Sequence, residues 1–193
     1  MRAFVAVVPP DAAVEDLDDF LEPRRDVDGP RWSPPGQWHV TLAFLADVPE
    51  YVVESLVDAV GAAAARHPRS RLGLAGGGCF PDVARARLLW AGVDGGDALA
   101  PLAHAVRMAC AHAGGDPDGG RFRPHLTLAR FPRPVDASRR VRVLDTYRGP
   151  SWEAAEVVVV QSHLPRERGH RPRHEVLARL PLGAAGVSPR RPS

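Results

Sequence analysis

Two periods alternate along this chain, the two-residue period of strands in short apolar runs and the 3.6-residue period of helices in longer ones. Arg2–Val8 is an apolar run that stops at Pro9-Pro10. From Asp11 to about Pro23, Val14, Leu17, Phe20 and Leu21 share one face and acidic residues the other, which predicts an amphipathic helix. Arg24–Gln37 holds Pro30, Pro34, Pro35 and Gly36 and is expected to be a loop. A second helix is predicted from Pro49 to about Arg66, with Val53, Leu56, Val57 and Val60 in register. Arg71–Ala75 and Leu88–Val93 predict strands, with Gly76–Gly78 as a turn after the first. Ala98–Ala113 predicts a helix that Gly114-Gly115 would stop. Val135–Leu144 fits either a helix or irregular structure. Ala155–Leu164 predicts a buried strand through Val157–Val160, and His174–Leu180 a closing one. Residues 183–193 have the Gly, Pro, Ser and Arg content of a frayed tail, leaving 1–182 as one domain of two interleaved lobes.

Two further apolar runs carry the same pattern, WHVTLAFL at Trp38–Leu45 and PHLTLARF at Pro124–Phe131. Each sets a threonine two residues after a histidine, His39/Thr41 and His125/Thr127. In a strand, residues i and i+2 point to one face, so each imidazole and hydroxyl are presented together. Val40, Leu42 and Phe44, like Leu126 and Leu128, are expected on the opposite, core face. The plainer explanation is that threonine favours strands and each histidine is a satisfied polar residue at a strand start. Numbers argue against it. With eight histidines and three threonines among 193 residues, random placement gives roughly a tenth of one such pair, and two are present.

The motifs lie 86 residues apart. The same offset lays Phe4 on Trp90, Ala3 on Leu89 and Val7 on Val93, so each half runs strand, helix, motif strand. Two halves related by a pseudo-twofold axis would bring both motif strands to a central cleft.

Paired His-x-Thr motifs of this kind resemble those of the two-histidine (2H) phosphoesterases. MRAFVAVVPP, RWSPPGQWHVTLAFL, RFRPHLTLARF and VVVVQSHL are closest to the bacterial and archaeal RNA 2′,3′-cyclic phosphodiesterases, a likeness spanning roughly Met1 to Leu182. The resemblance implies an α/β (α+β) fold of two pseudo-twofold-related lobes. Their mainly antiparallel sheet would line a central cleft, with helices outside. It also implies a substrate, an RNA or oligonucleotide ending in a 2′,3′-cyclic phosphate, and His39 as proton donor with His125 as proton acceptor. A reversible 2′-5′ ligation is a further possibility of that branch. Arg130 matches an arginine that often follows the second motif and could bind phosphate, although strict alternation from His125 turns it to the other face.

Composition changes this picture little. The 45% hydrophobic and 25% charged content is that of an ordinary soluble globular protein. No apolar run approaches a membrane span, and Met1–Pro10 lacks a signal peptide's basic start and long apolar centre, so a cytoplasmic location is expected, and a monomer besides. Cys79 and Cys110 have no metal-type spacing and are expected to be reduced thiols. All 25 basic residues are arginine, and isoleucine and asparagine are absent too, which points to a GC-rich genome rather than to phosphate binding.

A 2′,3′-cyclic phosphate opens by in-line attack of water, which needs one proton taken and one given. Two imidazoles with an ordinary pKa near 6.5 suit both tasks. Thr41 and Thr127 can donate to the non-bridging oxygens. The scheme demands neither metal nor cofactor. Phe44, Trp38 and Phe131 are the aromatic side chains near the motifs, and alternation assigns Phe44 to the core. His163, His170 and His174 could suggest a metal site, but Arg166, Arg168, Arg171 and Arg173 stand among them, so a solvated basic rim of the cleft, touching RNA phosphates, is expected. Gly76–Gly78 lacks the Gly-Lys-Ser/Thr ending of a phosphate loop. Two rival functions remain open: a 2H phosphoesterase for a small cyclic nucleotide or ADP-ribose cyclic phosphate, and a non-catalytic nucleotide- or RNA-binding module.

Overall fold

The computed structural model describes residues 1–25, 29–164 and 172–183. In chain order its elements are β1 (Ala3–Val7), α1 (Asp11–Leu21), β2 (Arg31–Trp32), β3 (Val40–Leu45), α2 (Val53–Ala64), β4 (Ser70–Phe80) and β5 (Ala86–Asp94). Then follow α3 (Leu99–His112), β6 (His125–Val135), α4 (Ser138–Leu144), β7 (Arg148–Ala154), β8 (Glu156–His163) and β9 (Arg173–Pro181). The expected tail lies outside the described residues, apart from Gly183.

One antiparallel sheet carries nine strands in the order β7-β4-β5-β6-β3-β1-β8-β9, with β2 beside β6. The order is palindromic in role. β1 flanks the first motif strand, β3, as β5 flanks the second, β6. Outside them, β8 and β9 match β4 and β7. The lobes join where Val40 of β3 pairs with Leu126 of β6. The pseudo-twofold antiparallel fold expected from the sequence is the one observed, and its two lobes are halves of a continuous sheet.

Helices cover the outer face, and the chain crosses between lobes to place them. Helix α1 leaves β1 yet packs on β7, and α3 leaves β5 yet packs on β3; α2 and α4 pack on β9 and β4. Two apolar clusters result. One joins Val5, Val7, Leu42 and Leu45 to Leu56, Val60, Leu102 and Val106. The other joins Leu17 and Leu21 to Leu89, Leu126, Leu128 and Leu144. A third, small cluster of Phe4, Ala6, Val158 and Val160 lies apart from both.

Strict alternation fails in both motif strands, at the same place. β1 pairs Val5 with Ala43 and Ala6 with Thr41, leaving Leu42 as an extra residue. β5 pairs Leu89 with Ala129 and Trp90 with Thr127, leaving Leu128 as its counterpart. A bulge puts two consecutive residues on one face and shifts the pleat by one. Leu42 and Ala43 are accordingly both buried, as are Leu128 and Ala129. Phe44 and Arg130, beyond the bulges, turn back to the face of the histidines. The assignment of Phe44 to the core and of Arg130 to the opposite face is thereby corrected.

The pairing also corrects the repeat. Phe4 lies opposite Phe44 and Leu88 opposite Arg130, so Phe4 corresponds to Leu88 and not to Trp90. The constant offset of 86 holds for the motif strands but not for β1 and β5.

Gly76–Gly78 is not a turn. β4 runs through all three glycines, with Gly76 at φ +63° inside an irregular stretch of its ladder with β5. Bare backbone is needed there because the strand is overlaid closely: a Cβ at Gly77 would sit 2.6 Å from Leu144 Cδ1 and 2.7 Å from the Trp90 carbonyl oxygen. Two strands were not foreseen. β2 has only two residues, inside the expected loop, and β7 (RGPSWEA) is an edge strand whose glycine, proline and single buried residue give no apolar alternation.

Gly77→Ala should therefore destabilise the fold by about 1–3 kcal/mol through overpacking. Gly36→Ala, where a Cβ meets nothing within 4 Å, should stay near wild type. Urea denaturation midpoints of the two variants check this, and equal midpoints would refute the packing argument.

Candidate active site

Each motif histidine is held by its own chain. The Nδ1–H of His39 donates to the carbonyl of Gln37 at 2.7 Å, and that of His125 to the carbonyl of Arg123 at 2.7 Å. A carbonyl only accepts, so Nδ1 carries the hydrogen in both rings and Nε2 is the working nitrogen. Proline-rich sequence supplies the first tether: a short turn at Pro35–Gln37 delivers His39 to the start of β3.

The Val40–Leu126 pair sets the rest. In an antiparallel register through that pair, Thr41 comes beside His125 and His39 beside Thr127. A cleft of about 490 Å³ is lined by His39, Thr41, Phe44, His125, Thr127 and Arg130, so the four residues singled out from the motifs and Arg130 share it with Phe44. Among the described residues, neither threonine hydroxyl makes a hydrogen bond within the protein. Both are available to a ligand. Trp38 and Phe131, by contrast, are buried in the outer core and cannot meet one.

Aromatic rings floor the cleft. Phe4 stacks on His39 at 4.4 Å between centroids, with planes 15° apart. His125 meets Phe80 edge-on at 5.0 Å and lies 6.2 Å from Trp90. Arg2 covers the Phe44 ring at 4.6 Å. His174 also enters, 5.7 Å from His39 and 5.1 Å from Phe4, edge-on to both. Of the histidines expected at a basic rim, His174 lines the cleft, whereas His163 pairs with Glu175 at 3.0 Å. His170, Arg166, Arg168 and Arg171 lie outside the described residues. The Gln37 side chain donates to the Pro172 carbonyl at 2.8 Å, tying the start of β9 to the His39 turn.

Sequence reasoning missed Phe4 and Gln37, and placed His174 only at the rim. For Phe4 a signal existed, since a phenylalanine alternates with Ala3 and Val5 on the non-core face of β1. The place of His174 beside His39 has no local signal, because it depends on β9 returning to the first lobe.

Burial dominates the electrostatics. It lowers the His39 pKa to about 4, opposed by the Gln37 carbonyl and helped by His174 and His125. Burial also lowers His125, opposed by the Arg123 carbonyl and helped by the charges of Arg123 and Arg130. His174 is lowered by burial too. In the free protein the rings are neutral at pH 7, and an anion between them is what would favour an imidazolium. Among the described residues no group of three or more His, Cys, Asp or Glu is disposed to hold a metal ion. Cys79 and Cys110 are buried free thiols, each pushed up to about 11 by burial.

Fold and cleft together define a two-histidine phosphoesterase. The chain belongs to the 2′-5′ RNA ligase superfamily, whose family model matches residues 9–166. It is 32% identical over 156 residues to an RNA 2′,3′-cyclic phosphodiesterase of Geobacillus stearothermophilus, covering 78% of this chain and 47% of that one. The chain thus spans about half the length of that relative. A protein of the same name from Aeropyrum pernix is 33% identical over 135 residues, covering 67% of this chain and 75% of the other. Escherichia coli LigT, crystallised with 3′-AMP, superposes with a TM-score of 0.74 at 26% identity, covering 94% of this chain and 97% of LigT.

The lowered histidines predict an acid sensitivity. A ring kept neutral in the fold but free to protonate when unfolded stabilises the fold fully above about pH 6.5 and loses that contribution as pH falls towards 4. The urea midpoint should therefore drop between pH 7 and pH 4.5. His39→Gln should flatten part of that drop, and a slope identical to wild type would contradict the burial seen for His39.

Proposed function

We propose that this protein hydrolyses RNA 2′,3′-cyclic phosphate ends to 2′-phosphomonoesters by general acid–base catalysis between His39 and His125. The observation that carries the reading is the doubled constellation, two imidazoles tethered alike through Nδ1, with two unpartnered threonine hydroxyls in one cleft. The activity follows the names of the relatives from Geobacillus and Aeropyrum. A nucleotide ligand in LigT supports the substrate class.

In this scheme Nε2 of His125 takes a proton from water as its oxygen attacks phosphorus. The P–O3′ bond breaks on the opposite side, and Nε2–H of His39 gives its proton to the departing O3′. Phosphate stays on O2′. Thr41 and Thr127 donate to the non-bridging oxygens, where charge builds up, and Arg130 adds a counter-charge at the cleft wall. The cyclic phosphate is a monoanion, and its arrival is what makes an imidazolium of His39 favourable despite the ring's burial against Phe4. Which histidine acts as acid rests on family likeness; the pseudo-symmetric tethers make either capable.

Turnover of a cyclic-phosphate-ended RNA tests the reading. His39→Ala and His125→Ala should each lower kcat by about 10²–10⁴. The double variant should lose far less than the product of the two, because groups acting as a unit are not additive. Thr41→Val and Thr127→Val should fold normally and lose about 10² in kcat. The rate should follow a bell-shaped pH profile belonging to the coupled pair, and chelator should leave it unchanged. Full activity in His125→Ala, a 3′-phosphate product, or activity lost to chelator and restored by zinc would each overturn it.

A further inference from the structure

Beside Arg130, which the proposed chemistry uses at the reacting phosphate, the second lobe presents a further guanidinium group that this chemistry does not require. Arg31 of β2 lies directly opposite Arg130 of β6 in an antiparallel ladder. Directly opposed residues share a face of the sheet, with Cα atoms about 5 Å apart. Arg130 lines the cleft, so Arg31 stands beside it on the cleft side. Trp32, the next residue, points to the outer core, and Ser33, one step further, lines the cleft again. Residues 31–33 therefore alternate as one edge of the site, with Arg31 at its outer end. The backbone fixes this edge: beyond the two β2 pairs, the Ser33 N–H donates to the Leu128 carbonyl at 2.8 Å.

Like charges placed directly opposite one another destabilise a sheet. Nothing among the described residues compensates this pair, since neither Arg31 nor Arg130 takes part in a hydrogen bond or ion pair there. Both side chains are exposed. Arg130 lines the same cleft as His125, and its charge helps to lower the pKa of that ring. Arg31 is not among the residues that line the cleft and stands farther out. Two cations set side by side, neither paired with an acid among the described residues, suit two neighbouring anions. A nucleic acid end supplies them, because the nucleotide that carries the cyclic phosphate is joined through its 5′-oxygen to a second phosphate.

We propose that Arg31 binds this second, 5′-side phosphate, and that the site is thereby built for oligonucleotide ends in preference to cyclic mononucleotides. The inference rests on the phosphodiesterase reading of the cleft. Arg130 serves the reacting phosphate and Arg31 the next one, so an adenosine 2′,3′-cyclic phosphate with a free 5′-hydroxyl leaves Arg31 without a partner.

Steady-state kinetics compares ApA ending in a 2′,3′-cyclic phosphate with adenosine 2′,3′-cyclic phosphate, for wild type and Arg31→Gln. The expected result is a wild-type kcat/KM about tenfold or more in favour of the dinucleotide, with that ratio collapsing towards one in Arg31→Gln. Arg31→Lys should restore part of it. The salt dependence of kcat/KM for the dinucleotide should also flatten in Arg31→Gln, by roughly 0.7 in log–log slope for one lost phosphate contact on a single strand. A wild-type ratio near one, or a ratio unchanged by Arg31→Gln, overturns the inference while leaving the catalytic reading intact. Failure of wild type to turn over either substrate removes the catalytic reading instead.

Discussion

The antiparallel pairing of Val40 with Leu126 is the joint on which this molecule depends. It welds two lobes into one sheet and leaves no freedom in how the motif strands face each other. A one-residue slip in a strand exchanges its faces, and here it would send Thr41 or Thr127 into the core and bring a leucine out. Leu126 and Val40 are both fully buried, so the apolar cores on the outer face lock the register that the site needs. The proposed catalytic arrangement is thus held by hydrophobic burial on one side of the sheet, while the other side stays open to a ligand.

The matched bulges at Leu42 and Leu128 divide each motif strand into two tasks. Before the bulge, the strand shows a histidine and a threonine. After it, the same face shows a side chain of another kind, Phe44 in one lobe and Arg130 in the other. The scaffold repeats while the chemistry diverges. One wall of the cleft becomes aromatic, with Arg2 over Phe44, and the other cationic. A nucleotide has a flat base and a charged backbone, and an asymmetric cleft can meet both. Perfect symmetry would serve a phosphate alone.

Both imidazoles sit against aromatic rings, and burial holds them neutral. Such rings depend on the incoming anion to settle which one carries a proton. That couples substrate binding to protonation, and it keeps the empty cleft from accumulating positive charge next to Arg123, Arg130 and His174.

Periodicity and two short motifs were enough to define most elements, the duplicated plan and four side chains of the site, because strand faces and helix stripes are local properties. His39, Thr41, His125 and Thr127 are legible for that reason: each His-x-Thr is a single strand segment whose geometry depends on nothing distant. What local pattern could not supply arose from pairing. Alternation sent Phe44 and Arg130 to the wrong face, since a bulge exists only relative to a partner strand. The offset of 86 misplaced Phe4, since the register of β1 is set by β3 and not by its own sequence. His174 reaches the cleft only because β9 returns to the first lobe, 135 residues after His39. The sequence by itself determined which groups are candidates for the proposed chemistry. Tertiary structure decided which of them meet, because only hydrogen-bonded neighbours and buried cores fix the register and face of every strand beyond its own alternation.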